Sequence, residues 1–231
     1  MKRDNLQGSP PERALPGGLL TRTLVYIPIV HTQVEMGSVA ASLKKVYLEQ
    51  YGEDEWSTHI RVIDQMWEGI RRRIEALHLD YPRTRLYQDG LPICGKELDI
   101  VTEVARRGSQ NHQILLDLSQ KGCCLTGTES PQLLLQEYDH LKEALGWQTE
   151  RHSFWRRLWA ERVGQRLLRR RDQFIARRVD ETLKRDETGI LFVGLKHEVD
   201  RYLPKDISVR YLFHRLPLRY LNRFSVLPAN S

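Results

Sequence analysis

Apolar runs and helix-like spacings alternate along this chain, and the alternation predicts its fold. The run "TLVYIPIVH", residues 23–31, is apolar and rich in β-branched side chains, which is typical of a strand. A helix-like stretch at 54–79 follows, where apolar residues recur every three or four positions. Because strand-like runs and helix-like stretches alternate in this way, the sequence predicts an α/β fold with a mainly parallel central sheet of about four to five strands, flanked by helices.

Further apolar runs and turn residues set the remaining elements. Strands are predicted within 84–92, 123–130, 189–194 and 206–213, and helices over 34–49, 96–107, 110–121, from 131, about 150–185 and from about 197. Pro28 interrupts the first strand. Since proline lacks the N–H that a sheet ladder needs, it predicts an edge position or a local bulge there.

Length and composition indicate one domain. The chain has 231 residues, 40% of them hydrophobic, and we predict a single α/β domain over 21–231. Residues 1–20 are rich in proline, glycine and charge, which predicts a disordered arm without the apolar core of a secretory signal. No apolar run approaches the roughly 18–20 residues that span a bilayer.

Cysteine usage bears on the compartment. The chain has three cysteines, Cys94, Cys123 and the adjacent Cys124. An odd count with two neighbours argues against a disulfide framework and favours free thiols in a reducing compartment. We therefore expect a cytoplasmic protein without a membrane span.

The positive charge of the chain is concentrated in one helix. The net charge is +6, and residues 151–178 carry ten arginines against Glu161 and Asp172. The simplest interpretation is a solvated basic face on a long Arg-rich helix. Nucleic-acid binding is a minority alternative, because Trp155 and Trp159 are assigned to the apolar series of that helix.

Polar residues able to do chemistry follow four of the predicted strands. Ligands bind beyond the carboxyl ends of parallel strands, so these positions form the candidate site. The candidates are His31, Gln33 and Glu35 after the first strand, Gln88 and Asp89 after the second, Glu129 after the third, and Gly194 with His197 after the fourth. Converging histidines and carboxylates can bind a divalent metal, or supply a general base with its orienting partner. The alternative is that these loops are polar because they face water.

Arg171 interrupts an apolar series on the long helix. The series steps by four or eight and consists of Trp155, Trp159, Val163, Leu167, Ile175, Val179 and Leu183. A buried guanidinium needs an anionic partner, and the candidates are Glu129, Asp89 or a bound anionic ligand. The alternative is that the stripe drifts and Arg171 reaches solvent.

The segment "GLPICGKE", Gly90–Glu97, imitates a phosphate loop. It fits G-x-x-x-x-G-K, but Glu97 stands where a serine or threonine must hold Mg²⁺. An NTPase is therefore disfavoured. Cys94 is a weak candidate nucleophile, since no particular histidine is indicated as its partner.

Four motifs together resemble the TraB, Tiki, ChaN and erythromycin-esterase-like superfamily. They are "PIVH" (28–31), "GTE" (127–129), "RDQFIARRVDETL" (171–183) and "GLKH" (194–197), within a resemblance over about 23–213. Pro28 departs from the family's glycine, and Asp89 or Gln88 stands where an acidic residue is expected. The resemblance implies an α/β fold whose members include metal-dependent peptidases, esterases that act through a histidine, and haem-binding proteins.

The leading hypothesis is a peptidase-like or esterase-like hydrolase acting on a small molecule or peptide. Its predicted catalytic residues are His31, Glu129, Arg171 and His197, with Arg171 binding a carboxylate or a developing oxyanion. The predicted ligand-binding residues are Gln33, Glu35, Gln88, Asp89 and Gly194. The predicted metal ligands, for Mn²⁺, Zn²⁺ or Co²⁺, are His31, Glu129 and His197. The alternatives are a non-catalytic ligand-binding or protein-interaction module on the same fold, and nucleic-acid binding through the Arg-rich helix.

Overall fold

The protein folds around a five-stranded sheet in which every neighbouring pair of strands is parallel. A computed structural model describes residues 22–30, 40–147 and 154–213. The predicted arm at 1–20 therefore lies outside the described residues. The sheet order is β3-β2-β4-β1-β5, with β1 at Arg22–Ile29, β2 at Thr84–Gln88, β3 at Cys124–Thr126, β4 at Thr188–Gly194 and β5 at Ile207–Tyr211. The predicted α/β class with a parallel sheet is confirmed.

In the described part of the chain, five helices flank the sheet. They are α1 at Ala40–Glu75, α2 at Glu97–Arg106, α3 at Gln110–Gln120, α4 at Pro131–Trp147 and α5 at Phe154–Thr182. The helix predicted from about residue 197 is wrong, because only one 3₁₀ turn, Val199–Tyr202, forms before Leu203 turns extended. Within the described ranges, no helix combines the length and apolar character that crossing a membrane requires.

The first helix bends back on itself at Gly52. This residue has φ 81° and ψ 174°, a backbone conformation that is essentially restricted to glycine. The ring centroids of Tyr47 and His59 lie 5.0 Å apart. A straight helix would separate them by about 18 Å along its axis. The two halves of α1 therefore pack side by side, a contact that the two separate helical stretches predicted at 34–49 and 54–79 did not reveal.

Side chains alternate between the two faces of the sheet, and each face carries its own core. One core joins β1, β2 and β4 to α1, α2 and α3, through Val25, Ile27, Ile29, Leu86, Ile190, Phe192, Trp67, Ile70, Val101 and Leu115. The other joins the opposite faces of the same strands to α5, through Leu24, Tyr26, Tyr87, Leu191, Val193, Ile175, Val179 and Leu183. Burial on both faces explains why the strands are continuous apolar runs.

Pro28 stands in an interior strand, so its predicted edge position is wrong. β1 pairs with β4 along its length without a bulge, including Pro28 opposite Val193. On the other side, pairing with β5 ends at Tyr26 and Tyr211. Backbone directions alternate along a strand, so Pro28 faces β5, as Tyr26 does. The missing N–H therefore faces a place where the ladder has already ended, and no hydrogen bond is lost.

The chain leaves neighbouring strands toward opposite faces, which defines a crevice at the carboxyl edge. After β1 and β2 it passes to the face covered by α1–α3. After β3 and β4 it passes to the face covered by α5 and the 3₁₀ turn. Because β4 lies between β1 and β2, its carboxyl end sits at this change of direction. Open α/β sheets bind ligands at such switch points.

Candidate functional site

His197 lies in a tight turn directly after β4. Its amide donates to the carbonyl of Gly194 at 3.0 Å, and Leu195 N donates to Ile29 O at 3.1 Å. The Tyr26 hydroxyl donates to the His197 carbonyl at 3.2 Å. Burial raises the pKa of Tyr26, so the hydroxyl stays a neutral donor. These bonds fix the turn and leave the His197 side chain only 6% exposed.

Asp172 of α5 holds one edge of the His197 ring. Its Oδ1 lies 2.5 Å from His197 Nδ1, and its Oδ2 accepts from the Glu198 amide at 3.1 Å. An ionised carboxylate can only accept, so Nδ1 carries the donated hydrogen. α5 covers about 15 Å between Asp172 and its last residue, Thr182, and β4 is roughly 20 Å long. The buried side of α5 therefore places Asp172 at the carboxyl edge of the sheet, beside the turn that follows β4.

Asp89 lies at the other edge of the same ring. Its Oδ2 accepts from the Gly194 amide at 2.7 Å and stands 3.5 Å from His197 Nε2. Both Asp89 and the His197 side chain are almost fully buried. His197 is thus enclosed by two carboxylates, one on each ring nitrogen. The Nε2 lone pair of His197 and the Oδ2 of Asp89 therefore face each other across 3.5 Å.

Two buried amides orient the Asp89 carboxylate. Gln88 Nε2 donates to Asp89 Oδ1 at 2.8 Å, and Asn111 Nδ2 donates to Gln88 Oε1 at 2.7 Å. Because the carboxylate only accepts, it sets the Gln88 amide, and Gln88 in turn sets Asn111. Because Asn111 donates to Gln88 through Nδ2, its side-chain oxygen Oδ1 stays buried without a hydrogen-bond partner among the described residues.

Arg171 is buried and paired with two carboxylates. Its Nε lies 3.1 Å from each oxygen of Glu129, its Nη2 lies 2.5 Å from Glu129 Oε1, and its Nη1 bonds Glu137. Burial opposes the charged guanidinium, but the attraction and hydrogen bonds of Glu129, followed by Glu137 and Asp89, raise the pKa of Arg171. Of the alternatives, Glu129 is the partner, and the prediction that Arg171 reaches solvent is wrong.

Both carboxylate oxygens of Glu129 accept hydrogen bonds from Arg171, and one of them also accepts from a backbone amide. The amide of Gly90 adds a bond to Glu129 Oε1 at 3.2 Å, and Glu129 is fully buried. The hydroxyl of the neighbouring Thr128 accepts a hydrogen bond from the backbone N–H of Gln88 at 3.1 Å. Glu129 and Arg171 therefore tie β3 and α5 to the loop after β2, directly beside Asp89.

The predicted site residues divide into three groups. Gln88, Asp89, Gly194 and His197 form one hydrogen-bonded cluster. Glu129 and Arg171 form an adjacent ion pair. His31, Gln33 and Glu35 lie outside the described residues. In the described ranges, no group of three or more His, Cys, Asp or Glu is arranged to hold a metal ion.

Three residues of the observed site were not predicted from the sequence: Asp172, Asn111 and Glu137. Asp172 had a signal, since it directly follows Arg171 on the helix and lies in the stretch that carries the resemblance. Asn111 and Glu137 lie on the amphipathic helices α3 and α4, and no local pattern marks either of them. Their roles depend on which strand end they reach.

In the segment Gly90–Glu97, which resembles a phosphate loop, Glu97 itself occupies the backbone amides of the loop. Glu97 Oε1 accepts from the amides of Cys94 at 2.9 Å and Gly95 at 3.1 Å. Although burial opposes the charge, these backbone donors lower the pKa of Glu97. The carboxylate thus takes the amides that a phosphate would need. A surface hollow of about 310 Å³ lies here, but its lining lacks a buried charged network.

Trp159 does not belong to the core side of α5, and its assignment to the apolar series is wrong. It is 58% exposed, whereas Ile175 and Val179 are fully buried. Each step of four residues overshoots a full helical turn by about 40°. Four such steps, from Trp159 to Ile175, turn the series by roughly 160°. The apparent stripe therefore winds around the helix, and its beginning faces away from the sheet.

The chain stands apart in comparisons with known proteins: no family model, curated protein or solved structure matches it. The fold and the site by themselves define a class. It is a single parallel α/β sheet with helices on both faces and a buried histidine between two carboxylates at the carboxyl edge.

Proposed function

We propose that this protein is a hydrolase, peptidase-like or esterase-like, in which His197 transfers protons at the carboxyl edge of the sheet. The observation that carries the proposal is the 2.5 Å contact between Asp172 Oδ1 and His197 Nδ1. A carboxylate on Nδ1 fixes the tautomer and presents Nε2 for proton transfer, and it stabilises the imidazolium that forms. The remote resemblance, which places "GLKH" at this turn, supports the same assignment.

The roles of the surrounding residues follow from their contacts. His197 Nε2 accepts a proton from an attacking water and returns it to the leaving group. Asp172 orients the ring. Asp89, held by Gly194 N and Gln88, stands 3.5 Å from Nε2 and stabilises the protonated ring. Glu129 and Arg171 are positioning residues in this proposal, because each takes up the charge of the other.

A metal-dependent form of the proposal uses the same edge. His197 Nε2 and Asp89 Oδ2 are 3.5 Å apart, and an imidazole nitrogen with a carboxylate oxygen is a donor pair that would suit a divalent ion. A divalent ion such as Zn²⁺, Mn²⁺ or Co²⁺ supplies Lewis acidity when bound. Since Glu129 is occupied by Arg171, this form assigns the metal to His197 and Asp89, with His31 as the remaining predicted ligand.

The test compares His197→Asn and Asp172→Asn with the wild type on p-nitrophenyl esters and fluorogenic peptides. Both substitutions are expected to lower kcat by about 10²- to 10⁴-fold with little change in KM, because general acid–base catalysis contributes that much. His78→Asn is the matched control, since His78 is exposed and asparagine tolerates its φ of 48°. Metal content of the wild type and of His197→Asn distinguishes the two forms. Hydrolysis that survives His197→Asn would contradict the proposal and favour a non-catalytic binding module.

A further inference from the structure

The exposed side of α5 combines arginines with an aromatic ring. Arg162, Arg166, Arg169, Arg170 and Arg177 are all exposed, and successive residues turn by about 100°, which places them within an arc of roughly 100°. Trp159 falls inside the same arc and is 58% exposed. We call these six residues the arginine face.

Carboxylates are scarce on the arginine face. Between residues 159 and 177 the only acids are Glu161 and Asp172, and both point to other sides of the helix. Among the described residues, the ion pair on this face is Arg177 with Glu181, at 3.9 Å. No described carboxylate pairs with Arg162, Arg166 or Arg169. The face therefore presents a largely uncompensated positive charge.

A hollow of about 310 Å³ continues the arginine face toward α4. Arg170, Phe174 and Arg177 line one side, and the amide side chains of Gln132 and Gln136 line the other. Its described lining contains no carboxylate. The Arg177 guanidinium lies 5.1 Å from the centre of the Phe174 ring. Cationic groups, amides and an aromatic edge together suit a flat, hydrogen-bonding group attached to a phosphate.

We propose that the arginine face binds single-stranded nucleic acid, with arginines on the phosphates and Trp159 stacked on a base. Arginine engages phosphate oxygens through two parallel N–H groups. Aromatic stacking on bases, next to a basic track, is the recurring mode of single-strand recognition. A single strand can use both features at once, because its phosphates engage the arginines while an unpaired base offers a flat face to Trp159. This surface is separate from the His197 site, so the proposal does not depend on the proposed hydrolase.

The test measures binding of the full chain to a labelled oligouridylate of about 20 nucleotides, between about 50 and 200 mM salt. We expect a log–log salt slope of about −2 or steeper, because single strands contribute about −0.7 per phosphate contact and three or more contacts are available. Arg162→Gln, Arg166→Gln and Arg169→Gln together are expected to weaken binding and flatten the slope by about 2. Trp159→Ala is expected to weaken binding about 5- to 150-fold at an unchanged slope.

The matched control is Arg61→Gln, Arg73→Gln and Arg106→Gln, an equal charge change in exposed arginines on the other side of the sheet. It is expected to leave the slope unchanged. The proposal is overturned if the wild type does not bind at low salt, or if the control triple weakens binding as much as the test triple. Competition by polyglutamate as effective as that by oligouridylate overturns it in favour of an acidic protein. All substituted side chains are exposed, and circular dichroism checks that each variant is folded.

Discussion

Removing the Arg171 guanidinium tests whether the buried ion pair holds the sheet edge together. In the variant Arg171→Met, Glu129 keeps a buried negative charge but loses its cation, and the amide of Gly90 remains as a donor. The side chains of Arg171 and Glu129 are 7% and 0% exposed. Breaking such a pair costs about 3–5 kcal/mol, because desolvation of the remaining charge is no longer offset. For a domain of this size, that corresponds to a fall in Tm of roughly 6–20 °C.

The assay is urea unfolding followed by far-UV circular dichroism, in a double-mutant cycle with Glu129→Gln. The single variant Glu129→Gln is expected to cost less, about 1.5–3 kcal/mol, because Arg171 keeps Glu137 as a partner. The double variant is expected to cost less than the sum of the two, with a coupling energy of about 0.5–3 kcal/mol.

The neighbouring Arg170 provides a matched control. It is exposed and contacts Gln136 at 3.3 Å, so Arg170→Met is expected to change stability by no more than about 0.5 kcal/mol. The reasoning is refuted if Arg171→Met is as mild as Arg170→Met, or if the cycle is additive. Either result would mean that the ion pair is not coupled in the folded protein.

Two further predictions concern the thiols and the bend of the first helix. Cys94 and Cys124 are exposed, whereas Cys123 is buried and burial raises its pKa to about 11. A thiol reagent at neutral pH is therefore expected to label two cysteines in the native protein and the third only on unfolding; rapid labelling of all three would contradict this. Gly52→Ala is expected to destabilise the protein by about 1–3 kcal/mol, since alanine is strained at this φ and ψ; an unchanged urea midpoint would show that the two halves of α1 do not require this bend.

Local patterns predicted most of the fold. Apolar runs and helical spacings depend on residues only a few positions apart, so they indicated every described strand and every long helix. One further helix was predicted after Gly194, where only a single 3₁₀ turn forms. Its length is limited because Leu203 must return the chain toward β5. Pro28 was misjudged for a similar reason, because only the sheet order shows where the ladder beside it ends.

The sequence by itself determined which residues reach the carboxyl edge, because a parallel sheet places every strand end on the same side. It thereby brought Asp89, Glu129 and His197 forward as candidates. Which of them touch was decided by the tertiary structure alone. Asp172 meets His197, which lies 25 positions further along the chain, and Asp89 meets Gly194, which lies 105 positions further along. Such contacts depend on strand order and on the rotation of α5 about its axis, and a repeat of four residues does not reveal that rotation.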